Sequence, residues 1–501
     1  MRFRKVLLWV LPALMVVQVW GGEPAFARYS GVSRVFTSED LETLAEPRFA
    51  AGRAGDMSYL PAGDDKRLLI PYLMGSAEGG HVELVKKLLE QGADPSWGLE
   101  PAVVGGSVSV FNLLLEQGCT AGEQELAAAA EAGSVEIVKL LLNPESELWY
   151  PLSLAVRAGR MHVVKLLLEH GAKAEHVLDE AVETGNVEMV KLLLEKGSYP
   201  YGFVLEHAMS SASWRGYDEI VLLLLEKGAP ASEALPGVAG RGDWKMVRLL
   251  LEHGAHADAG MPSSAEHGHE QIVKLLLEKG ADANSGIPDA AEHGQVKIVK
   301  LLLEAGAYAD NGISEAAAYG HGEVVRLLLE HGADAGKGLV SAAEFGQVEM
   351  VRFLLAHGAS PESALIPAVE KGYVEIVEML HHAGARLPQE HLLPLAVKAG
   401  NPAMVEYLAK FGCSPTAGLG GAVERGDIEM TRLLLDMGAV PGGFELRAAA
   451  QHGYAEILKL ILPLAQAEIN AANWQGQTPL DLAVQNGHEE CAALLRAAGG
   501  R

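Results

Sequence analysis

Enzyme chemistry needs particular side chains at particular spacings, and this chain of 501 residues offers few such sets. No G-x-S-x-G turn presents a serine nucleophile, no H-E-x-x-H places two zinc ligands on one helix face, and no G-x-x-x-x-G-K-[ST] loop cradles phosphate. The 18 histidines are the obvious place to look for a metal. Yet His170, His253, His331 and His357 each stand one residue before a glycine at corresponding points of separate helical segments. Neighbouring helices lie about 8–10 Å apart, too far for such side chains to share one zinc ion without long reaches. A cationic imidazole at a helix C-terminus is also favoured by the helix dipole. The expectation is no catalytic residue, no metal, no cofactor and no enzyme activity.

A second set of residues is more suggestive. His267, His293, Tyr319, Phe345 and Lys371 recur at a fixed interval, and Glu266, Glu292, Ala318, Glu344 and Glu370 stand one place before them. Exposed rings beside carboxylates can anchor a cationic, partly apolar segment of a partner. The competing reading is that these are tolerated surface residues of a repetitive helix. Trp214 holds the same place as the glutamates, whereas Trp244 starts a following helix and fits a packing role better.

The interval comes from an internal repeat. Glycines 80, 106, 133, 159, 185, 216, 242, 268, 294, 320, 346, 372, 400, 426, 453 and 487 are anchors, and ten of their 15 spacings equal 26. In IPDAAEHGQVKIVKLLLEAG (Ile287 to Gly306), Val299, Leu302, Leu303 and Gly306 follow one another at helical spacing, and Ile298 and Leu301 widen the apolar stripe. A shorter helix precedes Gly294, with Ala290 and Ala291 allowing close backbone approach. Each anchor glycine is expected in the left-handed region, ending one helix and turning the chain into the next. The array predicts paired antiparallel helices over about residues 68–501, stacked so that each layer buries the leucines of its neighbours.

Composition agrees with many small layers. Hydrophobic residues make up 49% of the chain but aromatic ones only 6%, and there are 57 glycines. The formal charge of -25 argues against nucleic acid and against an anionic membrane surface, since both are bound chiefly through Lys and Arg. Arg2, Arg4 and Lys5, the apolar run from Val6 to Trp20, and Ala25-Phe26-Ala27 read as a secretory signal peptide over residues 1–27; a retained anchor is the alternative. Residues 28–67 read as an N-terminal cap or linker, with a helix running up to Pro47 and Ala50-Ala51-Gly52 as a decayed repeat. Cys119, Cys413 and Cys491 are too few and too scattered for a disulfide framework; the first two read as small core fillers.

The segments GHEQIVKLLLEKGAD (Gly268 to Asp282) and GHGEVVRLLLEHGAD (Gly320 to Asp334), and Thr478-Pro479-Leu480-Asp481-Leu482-Ala483 in the last unit, resemble the ankyrin repeat family. The resemblance implies an all-α, ankyrin-type solenoid of helix pairs, about 16 repeats here. Family repeats are longer than 26 residues, so the β-finger is expected to be cut to a turn in most units, marked by Gly286, Asn311-Gly312 and Gly338. Only Asn470 to Gln477 leaves room for a finger. The resemblance also implies that the places just before the anchors, Glu266, His267, Glu292, His293, Tyr319, Glu344, Phe345, Glu370 and Lys371, face solvent and contact partners. The expected function is an exported, non-catalytic protein-interaction scaffold, secreted or periplasmic, binding a protein or peptide, basic in character, on the concave helical face. The alternatives are a structural or carbohydrate-binding envelope protein, or a secreted effector acting on a host protein.

Overall fold

The computed structural model describes residues 45–59, 66–199, 202–387 and 391–501. The proposed signal peptide, and residues 28–44 of the proposed cap, lie outside them. The described residues contain 33 α-helices joined by turns and short 3-10 segments, with no strand among them. One helix, Glu46–Arg53, comes first, and the rest form 16 pairs, one around each anchor glycine. The chain divides into two compact units at Ala234 and Leu235.

Within each unit the first helix of a pair packs on the first helix of the next, and second helices do likewise. The layer around Gly294 shows why. Its first helix is Ile287–Glu292 and its second is Val296–Glu304. Ala290 and Ala291 are fully buried, as are Val299 and Leu302; Ile298 and Leu303 are nearly so, and Leu301 is half-buried at the rim of the stripe. The same register buries Val325 and Leu328, Val351 and Leu354, and Val377 and Leu380. Where this register brings Thr431 into the core, its hydroxyl donates to the Asp427 carbonyl at 2.7 Å, which removes the cost of burying it.

All 16 anchors have positive φ, +67° at Gly294 for instance. Left-handed backbone is one reason for glycine there. The other is the next layer: a Cβ on Gly294 would sit 2.6 Å from the His321 ring. That ring is held in place because His321 Nε2 donates to the Glu292 carbonyl at 2.7 Å, closing an open end of the preceding layer's first helix. Gln295 does the same to Glu266 O, Gln347 to Ala318 O and His488 to Gln451 O. In the first unit His81 and Arg160 reach Arg53 O and Glu131 O. In each of these bonds the residue after an anchor reaches back to the layer before it.

The turns between layers are 3-10 segments such as Ala283–Ser285 and Ala309–Asn311. Asp310 carries one turn to the next, accepting from Asp334 N at 2.7 Å and pairing with Lys337 at 2.7 Å. In the last unit Asn473 N donates to Gln477 O at 2.9 Å, making a closed loop with Trp474 90% exposed at its tip. This loop is the remnant of a finger.

At the N-terminal end the helix Glu46–Arg53 includes Pro47 in its first turn, so Pro47 begins a helix where the sequence suggested that one ended. It packs on Leu69–Glu78, with Arg53 paired to the buried Glu78 at 3.3 Å. Cys413 and Cys491 are buried; Cys119 is only partly so, which departs from the core role expected of it. Burial pushes all three thiols above their usual range.

Candidate partner-binding strip

The residues singled out before the anchors end the first helices of five consecutive layers, Gly268 to Gly372, all in the second unit. Ile287–Glu292 and Ile313–Ala318 have 6 residues each; their alanines are buried against the core, and the residue just past each helix, His293 or Tyr319, is exposed. Tyr319 is 51% exposed and Phe345 53%, and His267, His293, Glu344, Glu370 and Lys371 are exposed as well. Glu266 and Glu292 are half-buried.

These side chains meet along diagonals between layers. Glu266 Oε1 lies 3.5 Å from His293 Nε2, and Glu344 Oε1 lies 3.8 Å from Lys371 Nζ. Tyr319 hydrogen-bonds Glu292, and that bond, ahead of the glutamate's charge, holds the phenol above its usual range. The rings of Tyr319 and Phe345 are tilted, with centroids 6.0 Å apart. In the first unit, Arg215 and Glu183 make the same diagonal at 3.7 Å. Exposed pairs of this kind add little stability, so the arrangement matters for the surface it leaves.

Two members were missed by the sequence reading. Asp289 and Glu315 lie one helical turn before His293 and Tyr319, and Asp289's carboxyl is raised, first by burial and then by Glu266 and Glu292. Glu315 also acts on Tyr319. The strip therefore carries Glu266, Asp289, Glu292, Glu315, Glu344 and Glu370 against one permanent cation, Lys371. Arg241 stands directly before its anchor in the layer preceding the strip, and Lys398 two places before its anchor in the layer following it.

The other sequence candidates fall elsewhere. His170, His253, His331 and His357 are exposed, each with Nδ1 within 2.9 Å of the carbonyl four residues back. Among the described residues no three His, Cys, Asp or Glu converge on a point suited to a metal ion. Trp214 is 52% exposed in the first unit; Trp244 is 38% exposed, with Arg248 over its ring at 5.8 Å.

Sequence reading also missed a cavity of about 770 Å³ in the first unit, lined by residues including Asp179, Tyr199, Phe203 and His207. Gly197 there has φ -83°, not the left-handed turn seen elsewhere, and the next helix, Gly202–Arg215, extends to 14 residues. His207 Nδ1 pairs with Asp179 Oδ2 at 3.0 Å, and Tyr199 donates to Leu193 O at 3.0 Å. Burial, then Glu175, raises the Tyr199 phenol.

The profile described as ankyrin repeats (3 copies) matches residues 99–176, 126–202, 313–391, 339–419 and 419–500, and the single ankyrin repeat profile matches 263–286. Together they span more than half of the chain. No curated protein matches. Among solved structures, the human ASB11 ankyrin repeat domain is 21% identical, with 48% of this chain and 98% of that one covered and a TM-score of 0.23. The pentatricopeptide repeat protein PPR10 bound to an 18-nucleotide psaJ RNA element is 13% identical, covering 91% of this chain and 89% of that one at a TM-score of 0.32. The same protein from maize, 13% identical with coverage of 91% and 90%, gives 0.26. At such TM-scores none of these likenesses bears on what the chain binds.

Proposed function

Since this chain belongs to the ankyrin repeat family, we propose that it is a non-catalytic scaffold that binds a partner protein along the strip from Glu266 to Lys371. Ankyrin repeats are protein-interaction modules. The observation that carries the placement is the pair Tyr319 and Phe345: two rings about half in water, in contact with each other and set among carboxylates. Leaving such apolar area exposed stabilises nothing in the chain itself, and aromatic anchors dominate the energetics of protein interfaces. The acidic surround and the formal charge of -25 favour a basic partner over nucleic acid.

The work is done outside the cytoplasm in this reading. Arg2, Arg4 and Lys5 before the apolar run and Ala25-Phe26-Ala27 support export. No helix among the described residues is long and apolar enough to cross a membrane.

Affinity capture tests the placement. The wild-type chain is expected to retain a partner that Tyr319→Ala combined with Phe345→Ala loses, with the unfolding midpoint nearly unchanged because neither ring is in the core. Capture of the same proteins by both would remove the strip as the binding site.

A further inference from the structure

We infer that the cavity in the first unit is a second binding site, one that takes a small organic amine carried on an apolar, aromatic body. The inference stands on residues of the first unit alone and does not rest on the strip.

Helix packing builds the site. The 14-residue helix Gly202–Arg215 packs on Leu178–Thr184, and its Phe203 and His207, four residues apart, share one face. Asp179 stands in the first turn of the shorter helix, and Glu175 in the 3-10 turn Ala174–His176 before it. The space that these residues line with Tyr199, about 770 Å³, has the size of a small-molecule site. Phe203, Val204 and Tyr199 supply the apolar walls such sites need.

The Asp179 carboxylate is under-used. An ionised carboxylate accepts up to about four hydrogen bonds. Here Oδ2 pairs with His207 Nδ1 at 3.0 Å, while Oδ1 is closed off from water and meets no donor among the described residues. An enclosed acceptor without a partner costs free energy, and a charged donor seated beside the same carboxylate offsets that cost.

The sign of the ligand follows from where the charges lie. Glu175 and Asp179 are half-buried, whereas Lys173, His176 and His207, which also line the cavity, are exposed. Water and salt screen exposed charges far more than enclosed ones, so the interior is negative despite Lys173. The Tyr199 phenol feels the same field: burial first, and then the Glu175 carboxylate, hold its proton on. An ammonium near Phe203 also gains from the face of the ring. An anionic guest would meet two carboxylates, and a wholly apolar one would leave both without a counter-charge.

Titration calorimetry on the full chain tests this at about pH 8, where an alkyl amine is charged and an imidazole ordinarily neutral. The probe is 2-phenylethylamine. It is expected to bind about tenfold more tightly than 2-phenylethanol, which lacks the charge, than 3-phenylpropionate, which reverses it, and than butylamine, which lacks the ring. Asp179→Asn should abolish the preference over the alcohol, and Val204→Trp, which fills the space, should abolish binding. If Val204→Trp disturbs the fold, Phe203→Ala at its exposed position should still weaken the amine several-fold. Tyr319→Ala combined with Phe345→Ala should leave its affinity unchanged. The inference is overturned if the amine does not bind, if the alcohol or the acid binds as well, or if butylamine does, which would reduce the effect to bulk charge. Loss of binding in the Tyr319 and Phe345 variant would move the amine to the strip and overturn it too.

Discussion

The five layers from Gly268 to Gly372 and the stretch from Gly133 to Gly216 are made from nearly the same second-helix sequence, yet they fold to different ends. In the former, every spacing is 26, and neighbouring layers meet through Glu266 and His293, Tyr319 and Phe345, and Glu344 and Lys371. In the latter, Pro144 cuts one second helix to Val135–Leu141, and the 31-residue spacing after Gly185 lengthens the following helix to 14 residues. Regularity yields a long strip of repeated chemistry; its loss yields a local cavity bordered by Phe203 and His207. The function of a repeat surface depends on turn length as much as on the residues displayed.

The sharpest test of this contrast compares leucines at one register position. Leu302 is fully buried in the regular array, while Leu141, its counterpart, is only half-buried where the helix stops early. Leu302→Ala should cost about 2–5 kcal/mol in urea unfolding, and Leu141→Ala clearly less. Equal losses would mean that the irregular layer is as well packed as the regular one.

Glycines give a smaller effect. At Gly294, with φ +67° and the His321 ring in the way, Ala should cost about 1–2 kcal/mol or more. At Gly197, with φ -83°, the backbone suits any residue, and the nearest atoms to an added Cβ belong to the Tyr199 ring, 2.6 Å away, which would have to shift and give up its bond to Leu193 O. A larger loss for Gly197→Ala in the same unfolding assay would contradict the difference in backbone.

His321→Ala should destabilise by about 1 kcal/mol by leaving the Glu292 carbonyl without its donor, and His321→Gln should restore most of that, as Gln295 and Gln347 fill the role in adjacent layers. Failure of glutamine to rescue would point to ring packing over Gly294 as the main term.

The smallest effect is electrostatic. Burial, Glu266 and Glu292 raise the Asp289 carboxyl in the fold, so its ionisation opposes folding. The sign follows: a raised folded pKa favours the fold while the group is protonated, at acid pH, and that gain is lost as pH rises through the folded value. Asp289→Asn should therefore raise the unfolding midpoint slightly at neutral pH and give no gain at acid pH, while weakening a cationic partner. A gain independent of pH would assign the effect to packing.

Much of this was legible in the sequence because a solenoid repeats its instructions. The left-handed glycines and the buried Val299 and Leu302 follow from one period of 26, while the exposure of Tyr319 and Phe345 and the loss of fingers follow from the resemblance to ankyrin repeats. Asp289 and Glu315 were not legible as members of the strip. Their inclusion depends on how far a six-residue helix turns before it ends, which sets whether one turn back still faces the same way. The bonds between layers were hidden differently: their position is constant, but His, Gln and Arg all serve, so no residue type marks it. The cavity arises where the period breaks, and there periodicity predicts nothing.

The bonds that residues such as Gln295, His321 and Gln347 make to the layer before them also give the stack a direction in time. A ribosome releases the N-terminal layers first. At these places the finished layer already displays the carbonyl, Glu292 O for instance, that a residue of the layer still being made, here His321, will bond. The growing end thus keeps a waiting acceptor, and the array can assemble pair by pair in the order of synthesis without any layer depending on a distant, unmade part of the chain.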